Sequence, residues 1–176
     1  MRILIVGDQH FRFELPYASA FKDGRKKEWE AVKNKILEIA QGVDAIVLMG
    51  DNFNSRHNNS SVINEFVEFL KSFGDKQVYI MCGNHERYGF STALDFLQKI
   101  DIPNWHVYTE ITNNVKLPGG IAATFVPYVT PAMIGVVTHE EGTQEILNHI
   151  KTGDVCFVHH ALTGTTGVEN FTEIVL

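Results

Sequence analysis

Apolar residues in this 176-residue chain follow two rhythms. Short unbroken runs rich in β-branched residues occupy positions 2–6, 44–49, 76–82 and 154–158. Each is too short for an ordinary helix and reads as a buried strand. Between the runs, apolar residues recur every three or four positions, which is the spacing of one helix face. Trp29, Val32, Ile36 and Ile39 predict a helix before the second run, and Val62, Phe66, Phe69 and Phe73 predict one before the third, with Gly74 as its stop. Leu94, Leu97 and Ile100 predict another after Ser91. Thr138 with Glu141 three residues later is a capping-box pattern and predicts a fourth helix.

Strand and helix in alternation imply βαβ units and a mostly parallel sheet covered by helices. The stretch 105–127 differs: WHVYTE, NNVKL and IAATFVP are separated by short polar or Pro-Gly-Gly turns, which predicts antiparallel strands on a second sheet. The expected class is therefore α/β, a two-sheet sandwich flanked by helices. With 44% hydrophobic residues the chain can fill one core, and it is expected to form one domain over 1–176. No apolar run is long enough to cross a bilayer and the start carries no cleavage-site pattern, so a cytoplasmic location is expected. Cys82 and Cys156 sit inside apolar strand runs and read as small buried hydrophobes.

The polar clusters fall where strands end: Gly7-Asp8-Gln9-His10, Gly50-Asp51-Asn52-Phe53, Gly83-Asn84-His85-Glu86 and His159-His160. Loops at the carboxyl ends of strands in such sheets converge on one crevice. The leading glycines are expected to let the backbone turn and approach a metal or phosphate without a Cβ in the way. Asp, His, Asp, Asn and His form a mixed oxygen and nitrogen donor set, suited to Mn²⁺, Fe or Zn²⁺ better than to Ca²⁺. Asp51 is the natural bridge between two cations. A pair of cations about 3.5–4 Å apart clamps a phosphoryl oxygen, activates a water and stabilises the in-line transition state.

The ordered signatures D-x-H, G-D-x-x and G-N-H-E resemble those of calcineurin-like metallophosphoesterases, whose fold is an αββα sandwich. Within that superfamily the chain looks like the SbcD-type DNA exonuclease subunits, which pair with an SMC-like ATPase; the likeness runs from GDQH to VCFVHHALTG, with His159 standing five residues before Gly164. The resemblance implies that Asp8 and His10 bind one metal, that Asp51 bridges, and that Asn84 and His159 bind the second, with Mn²⁺ the expected ion. The spacing to Gly164 favours His159 over His160. His85 would be the general acid or the group that positions the phosphate. The chain departs from the family pattern in three places. No Gly-His-x-His follows His159 before Leu176, so the expected site lacks that segment's two histidines; Asn54 stands where an acidic residue or His is frequent; and Glu86 stands where Asp is commoner.

Substrate contacts are expected from His57 with Arg56 and from Arg87 with Tyr88, against the plainer reading of solvated loops and surface packing. Lys22, Arg25, Lys26 and Lys27 form the most basic stretch and read either as a phosphate contact or as a solvated helix start. A net charge of −6 opposes nucleic-acid binding by the protein alone, an objection that two dications in the crevice soften. The expected function is thus DNA phosphodiester hydrolysis in a repair or recombination complex. The alternatives are a phosphatase of the same fold acting on a nucleotide or phosphoprotein, and a non-catalytic partner-binding relative. A homodimer surface is expected only if part of the Phe66, Phe69, Phe73 stripe is exposed.

Overall fold

The computed structural model of the protein describes residues 1–13, 24–151 and 153–160. Lys22 and Gly164 lie outside them. The first sheet contains β1 (Ile3–Val6), β2 (Ala45–Leu48), β3 (Gln77–Met81) and β6 (Trp105–Tyr108), all parallel, in the order β1-β2-β3-β6. Helices α1 (Gly24–Ala40) and α2 (Ser60–Lys71) make the crossovers. The second sheet has the order β7-β8-β9, from Thr112–Lys116, Ala122–Val126 and Val155–Val158, with β7 antiparallel and β9 parallel to β8. A two-residue-stranded hairpin, β4 (Arg87–Tyr88) and β5 (Ser91–Thr92), stands apart. Helix α3 (His139–His149) precedes β9.

Strand alternation builds four layers. Ile46, Leu48, Val78 and Ile80 face Trp29, Ile36, Phe66, Phe69 and Leu70 of the helices. Ala45, Val47, Tyr79 and Met81 face Ala123, Phe125 and Phe157 of the second sheet. The outer face of that sheet, Val126 with Cys156 and Val158, meets Ile146 of α3. The order α, β, β, α is the expected sandwich. Phe66, Phe69 and Phe73 are all buried, so the stripe presents no docking surface. Among the described residues no helix is long and apolar enough to cross a membrane.

Local chemistry accounts for the helix ends. Asn59 caps α2 by accepting from Val62 N–H at 3.0 Å, and the Thr138–Glu141 capping box of α3 is formed in both directions. Three expectations are corrected. Residues after Ser91 form no α-helix: the Thr92 hydroxyl takes the Leu94 N–H and Asp95 takes the Thr92 N–H, bonds that compete with a helical ladder, and only the short 3₁₀ turn Leu97–Lys99 remains. WHVY joins the first sheet parallel to β3 instead of starting the second. The last strand joins the second sheet, beside β8, instead of the first. In α1 the buried stripe is Trp29, Ile36 and Ala40, while Val32 and Ile39 are exposed.

Candidate metal centre

Loops after β1 and β2 continue the parallel pairing beyond the strands. Asp8 N–H donates to Gly50 O, His10 N–H to Asp51 O and Phe11 N–H to Asn52 O, and Phe11 bridges Phe53. Phe11 and Phe53 anchor this extension in the helix-side core, with Phe11 4.0 Å from Trp29 and Phe53 4.7 Å from Phe66 between ring centroids. Each such burial contributes about 1.5–3 kcal/mol. Asp8, His10 and Asp51 are held at φ 54°, 46° and 48°, three of the four non-glycine left-handed residues among those described. Such conformations cost about 1 kcal/mol or more each and persist only where surrounding contacts impose them.

The third loop is fitted to the second. A Cβ on Gly83 would lie 2.1 Å from Asp51 Oδ1 and 2.2 Å from Asp51 N; one on Gly50, at φ 105°, would lie 2.6 Å from His159 Nδ1. Gly7 has no comparable constraint, since its nearest neighbour would be Met49 at 3.7 Å, and at Gly50 and Gly83 the close approach is to His159 and Asp51.

Asp51 lies at the centre. Its Oδ2 is 3.9 Å from His10 Nε2 and 3.7 Å from His85 Nε2, and its Oδ1 is 3.5 Å from His159 Nε2. His10 Nε2 is also 3.9 Å from Asp8 Oδ1, and His159 Nε2 is 3.2 Å from Asn84 Oδ1. Two donor groups result, His10–Asp51–His85 and Asp8–Asp51–His159, sharing Asp51. His159 enters from the second sheet, where its N–H donates to Val126 O. His160 turns elsewhere, with Nε2 3.0 Å from Val129 O and its ring stacked on Tyr128.

Hydrogen bonding tests whether these residues fit a cation. His159 Nδ1 lies 2.8 Å from Met49 O and His85 Nδ1 lies 3.1 Å from Asn54 O. A carbonyl only accepts, so each Nδ1 carries its proton and, in the neutral ring, each Nε2 is a lone pair. Those lone pairs confront Asp51 and Asn84 oxygens, which are acceptors too. Such facing acceptors are reconciled by a cation between them or by a second ring proton, and ring orientation by backbone carbonyls is the usual support of metal-binding histidines. His10 Nδ1, buried without a partner, gives that ring no competing bond. The donor set fits divalent metals.

Glu86 organises this centre although no local pattern marks it. Fully buried, it accepts Asp51 N–H (3.1 Å) and Gly83 N–H (2.6 Å) on Oε2, and Phe53 N–H (2.6 Å) on Oε1. One carboxylate thus ties both loops together and fixes the backbone of Asp51. Burial, with the Asp51 charge adding to it, pushes its pKa up to about 7 against the three N–H bonds. Sequence reasoning marked it as standing where Asp is commoner. Arg87 is also buried, donating from Nε to Tyr128 O at 3.2 Å and from Nη2 to Thr109 O, partners that account for it without a phosphate. His57 is exposed and lines a cleft of about 400 Å³ with Arg12, Asn54 and Ser55. Arg25, Lys26 and Lys27 are exposed, with Arg25 3.5 Å from Glu28. Burial pushes the Cys82 thiol up to about 12, which keeps it protonated and outside the ligand set.

The profile of the calcineurin-like phosphoesterases, Metallophos, matches residues 1–171. The chain belongs to the calcineurin-like phosphoesterase family. Membership carries metal-dependent hydrolysis of phosphoesters with it, and the Asp51-centred cluster of this phosphoesterase offers side chains that could hold a metal. No curated protein matches the chain.

Proposed function

We propose that this phosphoesterase is a phosphodiesterase acting on DNA, the exo/endonuclease subunit of a cytoplasmic repair or recombination complex completed by an SMC-like ATPase. The observation that carries the reading is Asp51 standing between two donor groups, as a bridging carboxylate must. Asp8, His10, Asn84 and His159 around Asp51 would hold two divalent cations, Mn²⁺ in our reading among the Mn²⁺, Fe or Zn²⁺ that the mixed donors suit; by distance Asp8 groups with His159, and His10 with His85. When bound, such a pair supplies Lewis acidity and an activated water at the phosphorus.

The chain's own residues do the rest. Asp51, backed by Glu86, fixes the spacing of the two groups. His85 sits at the solvent side with 41% of its side chain exposed, its Nδ1 bound to Asn54 O and its Nε2 directed at the centre. From there a protonated ring would donate to the departing alkoxide oxygen. A cleft lined by Arg12, Asn54, Ser55 and His57 shares Asn54 with the His85 contact and would take the flanking strand. A homodimer is compatible with this reading and is not needed by it.

The test is competition among an oligonucleotide, a nucleotide monoester and a phosphopeptide in Mn²⁺, with metal content measured in parallel. The oligonucleotide should be cleaved fastest, and His85→Ala should lose turnover while retaining both ions. Faster release of phosphate from either monoester would replace the nuclease by a phosphatase. Undiminished cleavage by His85→Ala would remove its role, and the loss of an ion there would make His85 a ligand. Two-ion binding without hydrolysis of any substrate would leave the partner-binding alternative.

A further inference from the structure

The β4–β5 hairpin has a rigid stem and an aromatic tip. Its paired feet, Arg87 and Thr92, are buried, Arg87 by its two backbone carbonyls and Thr92 by Asp95, and Ala93 N–H donates to Glu86 O at 3.0 Å. Gly89 at φ 56° turns the chain between strands. At the tip, Tyr88 is 62% and Phe90 79% exposed, the most exposed aromatic side chains among the described residues. Exposing two aromatic rings on a hairpin forgoes burial that the fold obtains for Phe11, Phe53, Phe66 and Phe125.

Their surroundings identify what covers them. The Arg56 guanidinium carbon lies 4.6 Å from the Tyr88 ring centroid, and the His57 ring lies 6.5 Å away. Arg56 and His57 are themselves exposed. A cation over one face of an exposed ring, with neighbouring planar groups, suits a flat π-system attached to an anion. Tyr88 stands three positions after His85, so their Cα atoms lie within about 11 Å. That is the reach of a nucleoside whose phosphate rests at the metal centre.

We propose that Tyr88 and Phe90, with Arg56, form a stacking platform for the base next to the scissile phosphate. The occupant is an unpaired base in a single strand or frayed end, because a base stacked within a duplex offers no free face. This rests on the phosphodiesterase reading and narrows its substrate.

The experiment compares an oligothymidylate carrying one 2-aminopurine with a strand of equal length made of abasic residues, for binding and for cleavage in Mn²⁺. The protein should prefer the base-bearing strand by about tenfold per contacted base, with a change in 2-aminopurine fluorescence on binding. Tyr88→Ala/Phe90→Ala should abolish the preference and the fluorescence change while melting at the same temperature, since both side chains are exposed. Equal binding and cleavage of the two strands by the unmodified protein would overturn the platform and leave the phosphodiesterase intact. So would a preference retained by the double variant, which would mark the rings as a surface for a protein partner. Cleavage of neither strand would sink the phosphodiesterase reading and the platform with it.

Discussion

The two carboxylates at the metal centre are set in opposite ways. Asp51 follows β2, a strand covered on both faces and paired on both edges; its residue is 4% exposed and its N–H is held by Glu86. Asp8 follows β1, the edge strand, with a side chain 67% exposed and an N–H held by a single 3.3 Å bond to Gly50 O. Both residues adopt the same left-handed conformation. In the proposed assignment, the group that would bridge two ions is preorganised by the interior, whereas the group that would serve one sits at the rim. Preorganisation is concentrated where misplacement would be felt twice.

Replacing the two carboxylates separately should break the symmetry most clearly. Asp51→Ala is expected to abolish binding of both ions and to lower hydrolysis by about a thousandfold or more, several kcal/mol of transition-state stabilisation; metal stoichiometry by elemental analysis and single-turnover rates check this. Retention of both ions would remove Asp51 from the bridge. Glu86→Gln keeps the shape, but its amide cannot accept everything the carboxylate does, so an N–H of Asp51, Phe53 or Gly83 loses its acceptor. Urea unfolding should show a loss of about 2–4 kcal/mol, and metal affinity should fall by about 10–100-fold. A Gln variant with unaltered stability would mean that the three bonds contribute nothing net.

The same residue sets a pH signature in chelator-treated protein. The folded state holds the Glu86 proton more tightly than the unfolded chain, because its pKa is raised from the ordinary Glu value to about 7. Its contribution is therefore fully present below the ordinary Glu range and is lost as pH rises through about 7. The melting temperature without metal should fall between about pH 5 and pH 7.5, and Glu86→Gln should flatten that slope. The smallest effect is expected at the rim: Asp8→Ala should weaken one ion about 10–100-fold, lower hydrolysis accordingly and leave unfolding in urea nearly unchanged. A large stability loss there would show that the edge is locked as firmly as the centre.

Much of the scaffold was legible in local pattern. Four strands announced themselves as apolar runs, and α3 carried its capping box in the sequence. Pairing partners were not legible: whether WHVY extends the first sheet or opens the second depends on which edge is free in three dimensions. The helix expected after Ser91 failed because Thr92 and Asp95 satisfy the backbone in another way. At the site, residue types at strand ends pointed to Asp8, His10, Asp51, Asn84 and His159, which the fold gathers at one place. Glu86 escaped because its meaning lies 35 positions away, at the amide of Asp51. Exposed polar loops gave ambiguous signals for His57 and Arg87 for a related reason, since burial decides between solvent, carbonyl and substrate and a single sequence does not display it.

The absent side chain of Gly83 has a consequence for anyone rebuilding this protein. With Asp51 filling the space where a methyl group would stand, the second and third loops occupy one shared envelope and cannot be exchanged one at a time. A transplanted GDNF segment would need its native GNHE segment beside it, so the smallest portable unit of this active site is a pair of loops separated by a helix and a strand.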